Sequence, residues 1–202
     1  HPAGEVASAF VVEALPRQLA MGRAAGLEDA QGPAQLLSQS LLIVAEQLRD
    51  MGCATPEQEG MGATVVAALV SDAALLVAHL GDSRAYLVSG GELLRLTTDH
   101  TISPESNVLT QALGTGRPIA PSSTVVRLKP GDTVLLATDG LHFYLKDPDL
   151  QAFVSRSGWN LDSLCRNLVE RAKVGGGHDN ITVVAARPQV GRRAPVAAPA
   201  GR

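Results

Sequence analysis

Aromatic side chains are scarce in this chain: three Phe, two Tyr and one Trp make up 3% of its 202 residues. Its core must therefore be built from aliphatic side chains. Nor does it show the basic stripe interleaved with aromatics that grips nucleic acid, so no nucleic-acid partner is indicated. Charge of one sign is not in excess either, with 17 Lys and Arg against 20 Asp and Glu and a net charge of −3. The only cysteines, Cys53 and Cys165, have neither metal-ligand spacing nor the pattern of a secreted disulfide framework. Cys165 falls on an expected helix and reads as inert packing. No apolar run reaches the roughly 18 residues of a membrane-spanning helix, and no signal peptide is visible. What is present, 45% apolar residues in a chain of this length, suffices for one domain with a substantial core.

Periodicity sets out the elements. Val6, Phe10 and Ala14 recur at four-residue spacing and predict a helix ending near Pro16, followed by a loose segment with Gly26 and Gly32. Pro33 opens a second helix, with a stripe of Leu37, Leu41, Val44 and Leu48 and an end at Gly52. Segments 64–70, 74–80, 85–88 and 92–96 read as four short strands with turn-length connections, an antiparallel meander. A short helix is expected over 108–113. Strands 124–128 and 133–137 are expected to form a hairpin, and helices follow over 147–155 and 161–173 before a last strand at 181–186. Helices in pairs around a run of antiparallel strands predict an α+β layered domain. Residues 187–202, rich in Pro, Ala and Arg, read as a disordered tail or linker after a domain spanning 1–186.

Two aspartates close apolar runs: Asp139 after Leu135-Leu136-Ala137-Thr138, and Asp179 just before Ile181-Thr182-Val183-Val184. A carboxylate at the end of a buried strand is aimed at the sheet edge from a rigid base. Two of them imply either costly unpaired charge or a cation between them. Asp-Gly and Asp-Asn are also ordinary turn dipeptides, so each motif alone reads equally as a turn. Together they favour a metal site.

Further motifs stand in order: Gly60-Met61-Gly62-Ala63-Thr64, Gly81-Asp82-Ser83-Arg84-Ala85-Tyr86, Thr98-Asp99-His100, and Asn107 through Gly114. Thr138-Asp139-Gly140-Leu141 and Gly177-His178-Asp179-Asn180 complete the series. In this order they resemble the metal-dependent protein phosphatases, the type-2C serine/threonine family in its bacterial form. The resemblance implies a four-layer α/β/β/α sandwich of two antiparallel sheets flanked by helix pairs. It implies hydrolysis of phosphoserine and phosphothreonine in proteins by metal-activated water, so no side chain is expected to act as nucleophile. Asp139 and Asp179 correspond to ligands of the first metal, and Asp99 to a residue helping to bind a third, weaker one. Mn²⁺ or Mg²⁺ would be the ions, hard cations that prefer oxygen ligands. The substrates would be phosphoproteins made by a serine/threonine kinase, in the bacterial cytoplasm and in signalling. Asp82 reads as a turn residue. Of the five histidines, His100 and His178 read as loop residues beside the site, His79 and His142 as structural, and His1 as the residue following the family's Asp-Gly-Met-Gly-Gly.

The chain departs from the family pattern in two places. The early Asn-Glu-Asp strand with its phosphate-gripping arginine and the Asp-Gly of Asp-Gly-Met-Gly-Gly are not in the sequence, so the sandwich is expected to miss its N-terminal strands. Only half of a dinuclear site is then expected, inactive by itself, with raw sheet edges. The segment between Asp99 and Asn107 is also shorter than the usual flap. These departures support an alternative, a non-catalytic phosphatase-like module that binds phosphoproteins. A regulatory phosphatase of the sporulation or stress-response branch is less favoured by Gly81-Asp82-Ser83-Arg84.

Overall fold

The structure, a computed structural model, describes residues 3–104, 106–155 and 160–189. His1 and residues 190–202, most of the expected tail, lie outside the described residues. Three helices come first: α1 (Gly4–Ala24), α2 (Leu27–Gln31) and α3 (Pro33–Ala54). Four strands follow, β1 (Val65–Ser71), β2 (Ala74–Leu80), β3 (Arg84–Ser89) and β4 (Glu92–Arg95). Then come β5 (Ser122–Arg127), β6 (Thr133–Ala137), α4 (Asp139–His142), α5 (Asp147–Val154), α6 (Leu161–Val174) and β7 (Val183–Ala186).

The strands form two antiparallel sheets, ordered β1-β2-β5 and β4-β3-β6-β7. Period-two alternation then builds the layers. On β2, Leu76, Ala78 and Leu80 pack with Ala7, Val11 and Leu15 of α1 and the Leu37–Leu48 stripe of α3. The alternate residues Leu75 and Val77 meet Ala85 and Leu87 of β3 and Val134 of β6 between the sheets. On the far side Tyr86, Leu135 and Ala137 pack against Leu141, Leu150, Leu164 and Leu168 of the C-terminal helices. Three successive apolar layers therefore separate four layers of secondary structure, the α/β/β/α sandwich expected.

Several local expectations give way to tertiary context. Pro16 does not end α1, which continues to Ala24. Pro16 is exposed, and Val12 four residues before it is 73% exposed, so the carbonyl that loses its donor can be hydrated. Gly26 and Gly32, both at positive φ, bracket the short α2 where a loose segment was expected. Gly52 lies inside α3 rather than at its end.

No helix forms over 108–113, where Leu109 bridges to Thr101 and Leu113 to Ala63. The meander is interrupted too: β2 pairs with β1 and β5, and β3 with β4 and β6. Gly81, at φ 97, lets the chain leave one sheet for the other in three residues, and a Cβ there would collide with Thr64. For the same reason β5 and β6 are not a hairpin. Each joins a different sheet, because β5 has an edge of β2 to pair with and β6 an edge of β3.

Candidate active site

The sheet register brings the acidic residues together. Ala137, the last residue of β6, pairs with Val183, the first of β7. Asp139 and Asp179, lying just beyond these strands, therefore meet at one end of the sheet. Arg84, the first residue of β3, also pairs with Ala137, which puts Asp82 at the same end. All three carboxylates line one cleft of about 1190 Å³, which runs between β1 of one sheet and β7 of the other and is bordered by the start of α1 and residues 107–112.

Asp139 opens α4, and its Oδ1 accepts the Gly140 N–H at 2.9 Å. Burial and the nearby Asp179 carboxylate raise its pKa above the ordinary aspartate value. Asp179 is exposed, with Oδ1 accepting from Asn180 N–H at 2.7 Å. The loops bearing these two residues are tied by Thr138. Its N–H donates to Thr182 O at 3.1 Å, and its Oγ1 donates to Asn180 O at 3.3 Å and accepts from Thr182 N–H at 2.9 Å. A Cβ on Gly140 would collide with Asn180 O, so only glycine allows the two loops to approach this closely.

Asp82, expected as a turn residue, also lines the cleft. Its carboxyl is pushed up to about 6, by burial first and by the Asp139 charge second. Asp82 thus shares the cleft with Asp139 and feels its charge. A signal was available: it follows an apolar strand just as Asp139 does, and the inference applied to Asp139 applies equally to it.

Asp99, expected to help bind a third metal, is held by two arginines. It is not on the cleft wall. Arg84 reaches it with Nε at 3.0 Å and Nη2 at 2.7 Å, and Arg95 Nη2 lies 2.8 Å from its Oδ1. Burial works to raise the Asp99 pKa, but the hydrogen bonds and charge of Arg84, joined by Arg95, hold it below the ordinary value. Asp147 extends the network, accepting from Tyr86 Oη at 2.9 Å and from Arg84 Nη1 at 3.3 Å. Asp99 therefore has its charge already neutralised.

Two histidines are structural, as expected. His79 is 3% exposed, stacks on His100 with centroids 4.6 Å apart, and donates Nε2–H to Thr98 O at 2.8 Å. His142 is 7% exposed and donates Nε2–H to Asp82 O at 2.9 Å. Burial, aided by Arg84, lowers its pKa to about 4, so it stays neutral.

Among the described residues no group of three or more His, Cys, Asp and Glu is gathered closely enough to hold a metal unaided. The donor chemistry of Asp139 and Asp179 nevertheless fits a hard divalent ion. Both are carboxylates, and the raised pKa of Asp139 marks negative charge that a cation would relieve.

Known proteins resemble this chain in sequence and fold. A family described as Protein phosphatase 2C matches residues 15–107. The serine/threonine protein phosphatase PstP of Mycobacterium tuberculosis is 32% identical over 92% of this chain, which spans 38% of that relative's length. The serine/threonine phosphatase stp of Listeria innocua is 29% identical over 91% of the chain and 79% of its own length. The crystal structure of the M. tuberculosis phosphatase PstP/Ppp superposes with a TM-score of 0.76 at 30% identity, covering 92% of this chain and 82% of that one. Shared fold, shared sequence and coverage of nearly the whole chain lead to one conclusion: this chain belongs to the protein phosphatase 2C family.

Proposed function

We propose that the full-length protein carrying this domain hydrolyses phosphoserine and phosphothreonine monoesters in proteins with the help of divalent cations. The observation that carries the reading is the convergence of Asp139 and Asp179, from the ends of neighbouring antiparallel strands, on one cleft. The family is one of divalent-metal-dependent enzymes, and the M. tuberculosis and L. innocua relatives are named as phosphatases, which gives the binding-module alternative no support. Mn²⁺ or Mg²⁺ fits an all-oxygen donor set. Such ions bind phosphoryl oxygens and activate water for in-line attack.

The chain's own residues hold and aim. Asp139 and Asp179 are the ligands we assign to the first ion, with their loops locked together through Thr138. Asp82, facing the same cleft with a carboxyl pushed up to about 6, is the better placed third carboxylate for a further ion. Asp99 serves instead by holding Arg84 and Arg95. The substrates are the phosphoproteins left by a serine/threonine kinase, and the compartment is the cytoplasm. No helix among the described residues is long and apolar enough to cross a membrane.

The test is hydrolysis of an aryl phosphate and of a phosphothreonine peptide by the full-length protein, with and without Mn²⁺. Activity should require the ion and disappear with a chelator. Asp139→Asn should reduce it more than about 100-fold, beyond the usual cost of losing an outer-shell partner. Turnover by Asp139→Asn at the wild-type rate would refute the assignment.

A further inference from the structure

The short turn from Asp139 to Tyr144 touches the loops of the other two carboxylates as well as bearing its own. Two of these contacts are made by His142 and Tyr144, neither of which lines the cleft. His142, buried on the inner side of α4, donates Nε2–H to the main-chain carbonyl of Asp82 at 2.9 Å. A carbonyl only accepts, so this nitrogen must carry the proton. Tyr144, two residues on, accepts the His178 N–H at its Oη, 3.1 Å away, immediately before Asp179. The Tyr144 ring also forms a seat for the glycine run leading to that aspartate. A Cβ on Gly175 would lie 2.9 Å from its Cδ1, and one on Gly176 2.9 Å from its Oη. Gly175 and Gly176 are thus pressed on the ring more closely than a residue with a side chain allows.

We propose that this turn is a positioning hub for the acidic cluster: His142 fixes the placement of Asp82 and Tyr144 that of Asp179, each through one hydrogen bond to main chain. Neither is a catalytic residue, since each acts through the aspartate it positions. The inference rests on the metal-site reading above. It adds that the mutual placement of the three carboxylates is set from a single six-residue segment rather than by three loops independently. A metal site needs its ligands held to fractions of an ångström by surrounding hydrogen bonds, and these two bonds are of that kind.

The experiment is calorimetric titration of Mn²⁺ alone into the full-length protein and four variants, each checked for folding by thermal melting. Asp139→Asn should abolish binding. His142→Phe, which keeps the ring volume but loses the donor, and Tyr144→Phe, which loses only the hydroxyl, should each weaken Mn²⁺ binding about three- to tenfold. His142→Gln, whose amide nitrogen can reach the same carbonyl, should bind within about twofold of wild type, a rescue that a purely space-filling role would not give.

Wild-type affinity in both His142→Phe and Tyr144→Phe, with Asp139→Asn silent, overturns the hub while leaving the metal site intact. Equal losses in His142→Gln and His142→Phe overturn the part assigned to His142. Undiminished binding by Asp139→Asn refutes the metal-site reading itself, and the hub with it. Should His142→Phe fail to fold, His142→Gln and Tyr144→Phe decide: the hub requires near-wild-type binding by the first and weakened binding by the second.

Discussion

Asp82 shows how much a single position can depend on its surroundings. Its carboxyl is raised from 3.8 to about 6, so in the metal-free protein the native state keeps a proton that the unfolded chain gives up near pH 4. Where the native state binds more protons, stability falls as pH rises. Asp82 therefore stabilises least above pH 6, where its charge sits unrelieved beside Asp139. The displacement, discounted for a carboxylate still partly in solvent, is on the order of 1 kcal/mol. Asp82→Asn should raise the melting temperature of the metal-free protein at pH 7 by about 2–4 °C. That advantage should vanish on acidification to pH 4. His142, lowered to about 4, slopes the opposite way, but it is present in both proteins and cancels in the comparison. Gly140 is a second single-position test. Gly140→Ala would drive a methyl group into Asn180 O, and Mn²⁺ binding should be lost before overall folding is.

At the scale of elements, β3 and β4 are joined to α5 by a polar network rather than by apolar packing alone. Arg84 and Asp99 have side chains only 13% and 12% exposed and meet at 2.7 Å. Removing one member of such a pair leaves the other charge buried without compensation, which typically costs 3–5 kcal/mol. Asp147 also contacts both arginines, at 3.3 Å from Arg84 and 3.8 Å from Arg95, and would take up part of the charge. Asp99→Asn should therefore destabilise by about 3 kcal/mol, at the low end of that range, in urea unfolding monitored by circular dichroism. Helix α3 was legible in its sequence: the stripe of Leu37, Leu41, Val44 and Leu48 is buried as its spacing requires. The short α4 was not, because four residues carry no period. Nor was the course of 107–113, where Leu113 bridges to Ala63, fifty residues away in sequence, and Leu109 to Thr101.

For the molecule as a whole, the layer between the two sheets is the part on which the cleft depends. Leu75 is fully buried there against residues of the opposite sheet. Leu75→Ala should cost about 2–5 kcal/mol by the cavity it leaves, measurable as a lower urea midpoint with unchanged slope. Among the described residues, β1 and β7 are edge strands and both border the cleft, with Val184 of β7 51% exposed. Unpaired apolar edges favour association, so Val184→Lys should reduce any concentration-dependent self-association seen by sedimentation.

The α+β layering and the two aspartates bordering apolar strands could be read from residue order, because periodicity, glycine turns and an aspartate beside an apolar run are local patterns imposed by backbone geometry; the four-layer arrangement came only with the resemblance to a known family. Local pattern could not say which strand pairs with which. It could not place Asp82 on the cleft wall beside Asp139. Those outcomes rest on electrostatic and packing contacts between residues remote in sequence, whose energies exist only once the sheets have closed upon one another.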